Sequence, residues 1–160
     1  MSLDRAIVQS VARKLAAALP TLEAALAWRP DLSLERARPF AVVRLLTTDQ
    51  ERVSFPFTGE TQDFRGTLWV TVFSRAPNEG LYEVLDLPGQ VRDALLTDVT
   101  LYDYSGASPV SKGAFLVEDP TVQDLGADAA AAGDDLFRYA SVVTGEIKIS
   151  RVKGAAFITS

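Results

Sequence analysis

Between Leu136 and Ile149 the chain alternates without a break. Phe137, Tyr139, Ser141, Val143, Gly145, Ile147 and Ile149 fall on one side, and Leu136, Arg138, Ala140, Val142, Thr144, Glu146 and Lys148 on the other. A period of two marks an extended strand, because successive side chains point to opposite faces. One side is largely apolar and the other becomes polar towards Lys148, which predicts a long antiparallel strand with one packed face. A strand of that length requires long neighbours, and two are available. Phe40–Thr48, "FAVVRLLTT", is apolar on both faces, and Phe64–Ser74 sets Leu68, Val70 and Val72 against Trp69, Thr71 and Phe73. Both read as interior strands covered on two sides. A further strand is predicted over Ser111–Gln123, around "AFLVEDPTV".

Two segments carry helical spacing instead. Ala6, Ile7, Val11, Leu15, Ala18 and Leu19 recur at intervals of three and four, predicting a helix over residues 4–19 that Ser2 or Asp4 caps and Pro20 ends. Leu81, Val84, Leu85, Pro88, Val91 and Leu95 predict a second helix over Gly80–Leu96, kinked near Pro88-Gly89. "TLEAALAWRP" fits a short helix or a strand, and Arg29–Arg38 reads as loop. Asp49–Asp63 is too long for a tight hairpin turn, with Pro56 and Gly59 marking its bend. Helix, strands, helix, strands in that order predict an α+β fold: a two-layer sandwich of a mostly antiparallel sheet with two main helices on one face. Residues 1–150 form the expected single domain, and 151–160 a C-terminal tail.

Composition narrows the chemistry. The sequence contains neither histidine nor cysteine, which removes Ser-His-Asp and Cys-His catalysis, disulfides and thiolate metal sites. A net charge of −5 without any basic run argues against a nucleic-acid-binding surface. The N-terminal helix is interrupted by Asp4, Arg5, Arg13 and Lys14, so it lacks the continuous apolar core of an export signal. No window is apolar over the length of a membrane span, and the expectation is a soluble, intracellular chain.

Few constellations remain. Glu118–Asp135, "EDPTVQDLGADAAAAGDD", concentrates carboxylates without a base, as a calcium loop does, but lacks the D-x-D-x-D-G spacing and distal Glu; a solvated loop between strands is the favoured reading. "APNEG" at the start of the second helix could cradle an anion. Yet Glu79 would repel phosphate, while Asn78 suits an N-cap and Pro77 a turn, so the structural reading is favoured. Tyr102, Asp103 and Tyr104 beside Ser105-Gly106 form an unspecific polar cluster, and Trp28 and Trp69 read as core or interface anchors. No cofactor is expected.

Taken together, the N-terminal helix, the long strand pair, "LWVTVFSRAPNEG" running from strand to helix, the "VRDALL" helix end and the closing "FRYASVVTGEIKI" strand resemble the tail terminator, or tail completion, proteins of long-tailed bacteriophages and related particles. The resemblance spans Ala6 to Ile149. It implies a structural virion protein without catalytic residues, forming a hexameric ring that caps the tail tube, stops its polymerisation and offers the head its docking surface. The implied partners are further copies of the chain, the tail tube protein and a neck or connector protein. DNA would pass through without specific binding and no membrane would be involved. The implied location is the head-proximal end of the virion tail, assembled in the host cytoplasm.

Several residues suit such an interface. Val53, Phe55 and Phe57 alternate in the Asp49–Asp63 segment, Arg75 and Glu79 flank the strand-to-helix turn, and Val152, Phe157 and Ile158 make the tail sticky. An acidic lumen would not retain DNA, which makes Glu118, Asp119, Asp124 and Asp128 candidate lumen carboxylates. The competing readings are a head–tail connector, neck or baseplate protein, an adaptor domain, and a metal-dependent hydrolase on Asp119, Asp124, Asp128, Asp134 and Asp135.

Overall fold

Leu3–Ala18 coils into helix α1 because Ile7, Val11 and Leu15 recur every fourth residue, with Ala6 and Ser10 beside them, and all five are buried. Asp4 lies in its first turn, where a negative charge meets the positive end of the helix dipole. The computed structural model describes residues 3–26, 39–55, 59–75, 81–127 and 138–152. After α1 a turn through Pro20 leads to Glu23–Leu26, the ambiguous segment, which is strand β1. Then come β2 (Phe40–Phe55), β3 (Gly59–Arg75), helix α2 (Leu81–Leu95), β4 (Val99–Asp103), β5 (Val110–Phe115), β6 (Val117–Ala127) and β7 (Arg138–Val152).

The large sheet has the order β1-β2-β3-β7-β6, antiparallel except where β1 runs parallel to β2. Its register sorts the side chains by face. Ala41, Val43, Phe64, Leu68, Val70, Val72, Val143, Ile147 and Ile149 share one face and join Ile7, Val11 and Leu15 of α1 and Leu87, Val91 and Leu95 of α2 in one core. Both helices therefore pack on that inner face, as an α+β two-layer arrangement requires. Each fully buried Leu, Ile or Val there contributes about 1.5–3 kcal/mol from removal of apolar surface. The β4-β5 ribbon completes the helical layer through Val99, Leu101 and Phe115. Two long-range contacts stitch α1 into that layer. The Tyr102 N–H donates to Ser10 Oγ at 3.0 Å. Lys14 Nζ donates to the Thr97 carbonyl at 2.8 Å and to the Asp98 carbonyl, satisfying carbonyls just past the end of α2. Partial burial holds the Lys14 ammonium below its usual range, and the nearby Asp98 carboxylate counters that shift.

Several expectations change. Asp49–Asp63 is not a long loop: residue-by-residue pairing runs from Thr48↔Gly66 to Phe55↔Gly59, so the strands continue almost to the bend. Polar residues such as Gln50 and Gln62 hide this, because they interrupt the apolar alternation that marks a strand in the sequence. Ser111–Gln123 is not one strand. It divides at Leu116 into β5 and β6, which belong to different sheets. The first part of the acidic stretch, through Ala127, is strand and not loop. β7 also takes in Arg151 and Val152 from the expected tail. β4, which the periodicity does not reveal, includes Tyr102 and Asp103 of the polar cluster. Helix α2 continues through Pro88.

Candidate assembly interface

The sheet is not covered to the same extent along its length. Near the β1 end of β2, the outer face is buried too: the row Val42–Thr71–Val142 has two apolar members at 3% and 1% exposure, and Phe40 stacks on Phe73 with ring centroids 4.9 Å apart. That region matches the expectation of strands covered on both sides. Trp69 lies one row further on, half-buried, its indole N–H donating to Thr71 Oγ1 at 3.2 Å. Beyond it the outer face is exposed and charged.

There the register aligns like charges. Arg65 stands directly opposite Lys148, and Glu146 directly opposite Glu118, all four exposed. Like charges across a ladder are unfavourable, but the cationic and anionic rows are neighbours, so each charge also has an opposite one diagonally or two residues along. These side chains and Thr67 line a shallow cleft of about 420 Å³.

The last inner row in the core is Gln50–Phe64–Ile149. Further out, among the described residues, the sheet consists of β2, β3 and β7, and rows Glu51–Asp63–Ser150, Arg52–Gln62–Arg151 and Val53–Thr61–Val152 follow. This three-stranded arm has two edges. β1 accompanies β2 only as far as Val43, and β6 accompanies β7 only from Ile147 inwards. Among the described residues, β2 from Arg44 to Phe55 and β7 from Lys148 to Val152 therefore have no strand on their outer sides. At about 3.4 Å per residue the β2 edge is roughly 35 Å long.

Of the candidate interface residues, Val53, Phe55 and Val152 lie on this arm, and Val53 and Val152 share a row at opposite edges. Arg75 is at the other end of β3, opposite Arg138, so it belongs to a separate region. Phe57, Glu79, Phe157 and Ile158 lie outside the described residues, as do "APNEG" and Trp28. The cue for the arm was present in the sequence as the alternation of Val53 and Phe55.

The described carboxylates do not converge. Glu118 faces outward beside Glu146, and Asp124 is in the Ser141 row on the inner face; both are exposed. Asp119 is exposed in a bulge between Glu118 and Thr121, with φ at 46°. Asp128, Asp134 and Asp135 lie outside the described residues. Among the described residues no group of three or more Asp or Glu is placed to hold a metal ion. The bulge rests on Gly145, where an added Cβ would strike Val117 Cγ1 and come within 3.1 Å of the Glu118 carbonyl oxygen. The Tyr102-Asp103-Tyr104 cluster is structural. Buried Asp103 accepts hydrogen bonds from the Ser105 N–H at 2.9 Å and the Ser105 hydroxyl at 2.7 Å, which is an Asx turn leaving β4. The Arg13 guanidinium lies 4.5 Å from the Tyr102 ring centroid, locking α1 on β4.

Among the described residues no helix is long and apolar enough to cross a membrane. No family model matches the chain, and comparison with curated proteins yields no significant match. Among the described residues, what the fold offers a partner is a long hairpin arm with two open strand edges.

Proposed function

We propose that the protein is a self-assembling structural subunit of the tail terminator type, forming a ring that caps a phage tail tube and presents a docking surface to the head. The three-stranded arm supports this reading best. A row of backbone N–H and C=O groups along an open edge is a template for another strand. An isolated monomer gains nothing from two such edges on one arm, whereas a subunit with a neighbour on each side uses both. Heterologous contacts of this kind close into rings when the rotation between copies allows it. The resemblance of the sequence to the tail terminator proteins supplies the choice of particle and of a six-membered ring.

The test is the mass in solution, by light scattering over a range of protein and salt concentrations, with negative-stain imaging of the same samples. The expected result is a ring with the mass of about six subunits, its stability set by how much surface each joint buries. A chain that stays monomeric at every concentration would overturn the reading.

Truncation gives a second check. Arg151 and Val152 pair with Gln62 and Thr61, so removing 151–160 takes the last two rungs off β7 as well as the tail. That deletion is expected to leave the fold intact and to weaken assembly, read as a normal unfolding transition together with a lower ring fraction. An unchanged ring fraction would show that this end of the chain takes no part in the joint.

A further inference from the structure

We propose that copies of this chain join edge to edge, residues 148–152 of β7 in one copy adding as a parallel strand beside β2 of the next copy, within residues 49–55. This rests on the self-assembly reading and specifies the joint.

The argument begins with which edges are guarded. Strand edges that must remain unpaired are usually kept short, or are broken by bulges, proline or charge. β1, the edge strand at one side of the large sheet, has only four residues. β6, at the other side, is broken by the Glu118/Thr121 bulge, the positive φ of Asp119 and Pro120, and carries Glu118, Asp119 and Asp124. The arm edges carry charge as well, Asp49, Glu51 and Arg52 on β2 and Lys148 and Arg151 on β7, but neither arm stretch is broken by a bulge. From Thr48 to Phe55 the pairing of β2 with β3 advances one residue at a time, and so does that of β7 with β3 from Ile147 to Val152. Neither stretch contains proline.

The two edges also fit each other. The β7 overhang, 148–152, is level with β2 residues 49–53 across the sheet. β2 and β7 are each antiparallel to β3, hence parallel to one another. A neighbour brought up by rotation about an axis along the strands keeps that direction, so its β2 extends the sheet as a parallel strand. A foreign peptide would satisfy one edge and leave the other open, whereas a second copy supplies both kinds of edge and each subunit uses both. That selects a second copy as the occupant.

Charge bears on the register of the joint. In a two-fold pairing of β2 with β2 centred on Glu51, Glu51 would oppose its own copy, and like charges directly opposite are unfavourable. Head-to-tail joining at the same level would put Arg151 beside Arg52 of the neighbour. A slide of two residues preserves the faces and brings Lys148 beside Glu51, Ser150 beside Val53, Arg151 beside Ser54 and Val152 beside Phe55. Such a stagger is also what closed sheets of tilted strands require.

The chain has no cysteine of its own, so disulfide trapping reads the joint directly. Adjacent strands lie about 4.8 Å apart, within the Cα separation a disulfide accepts. The double variant Val53→Cys/Ser150→Cys, on the full chain under mild oxidation, is expected to form a ladder of covalent oligomers. Its monomer band should lose about half or more of its intensity, with reversal by reductant. Each single variant should remain monomeric on the same gel. Glu51→Cys/Ser150→Cys is the companion pair, and a ladder there alone would keep the joint but place the strands level. Rings that form, by mass, without a ladder from either pair would overturn the edge joint and leave the assembly reading standing. A covalent dimer from Val53→Cys alone would replace it with a two-fold pairing of β2. Monomers by mass, without cross-links, would overturn both.

Discussion

Gly145→Ala is expected to destabilise the fold by about 2–3 kcal/mol, lowering the melting temperature by roughly 5–10 °C for a chain of this size. Gly145 sits in β7 on the inner face, beneath the β6 bulge, and a Cβ there would run into Val117 Cγ1 and crowd the Glu118 carbonyl oxygen and Pro120 Cα. None of these yields easily. Val117 is β-branched and only 4% exposed, and the other two atoms are backbone of a strand already bent through a positive φ at Asp119. Thermal unfolding followed by circular dichroism checks the effect, and an unchanged melting temperature would mean that the bulge moves aside at no cost. Because the main obstacle is one methyl group, Val117→Ala in the Gly145→Ala background should cost less than Val117→Ala alone.

Leu68→Ala should cost about 2–5 kcal/mol for the opposite reason, loss of volume. Leu68 is fully buried in β3, in one row between Leu45 and Gly145. The backbone there is fixed by ladders on both sides, so the space left by the side chain cannot close and the surrounding core loses its contacts. Denaturant unfolding should show a lower midpoint with an unchanged slope. The two substitutions lie in the same row yet should not rescue each other, since the clash at residue 145 is with β6 and not with Leu68. A double variant distinctly more stable than the sum of the single effects would contradict this account of the packing.

Reading the chain before its structure worked where burial imposes a period. The fourfold spacing of Ile7, Val11 and Leu15 gives α1, and the alternation from Arg138 to Ile149 gives most of β7, because each has one face in the core. It failed where that constraint weakens. Residues 49–55 pair regularly with 59–65, but their sequence has too little apolar alternation to separate strand from loop. At Leu116 the chain passes from one sheet to the other while Phe115 and Val117 both remain buried, so the pattern continues through a real break. β4 is five residues long, and its hydrophobicity, Val99 and Leu101, is too brief to register. As for the site, Val53 and Val152 can be noticed as apolar residues in polar surroundings. That they stand in one row at opposite edges of an arm depends on β3 lying between them, and only the strand order reveals it.

The strand order also governs how the protein is made. β3 takes one neighbour, β2, from just before it in the chain and the other, β7, from more than sixty residues beyond. α1, synthesised first, waits for Tyr102 and Thr97, which lie 92 and 83 positions beyond Ser10 and Lys14. On a ribosome the β2-β3 hairpin can therefore form early, but the β7 side of β3 stays uncovered while residues up to Arg138 and beyond are added. At ordinary elongation rates the stretch from Arg75 to Arg138 takes roughly 3–12 s, long compared with the time a hairpin needs to form. During that interval neighbouring nascent chains on one messenger present identical half-built sheets to each other. The strand order thus leaves one side of β3 open longest at the stage when copies of the chain are held close together.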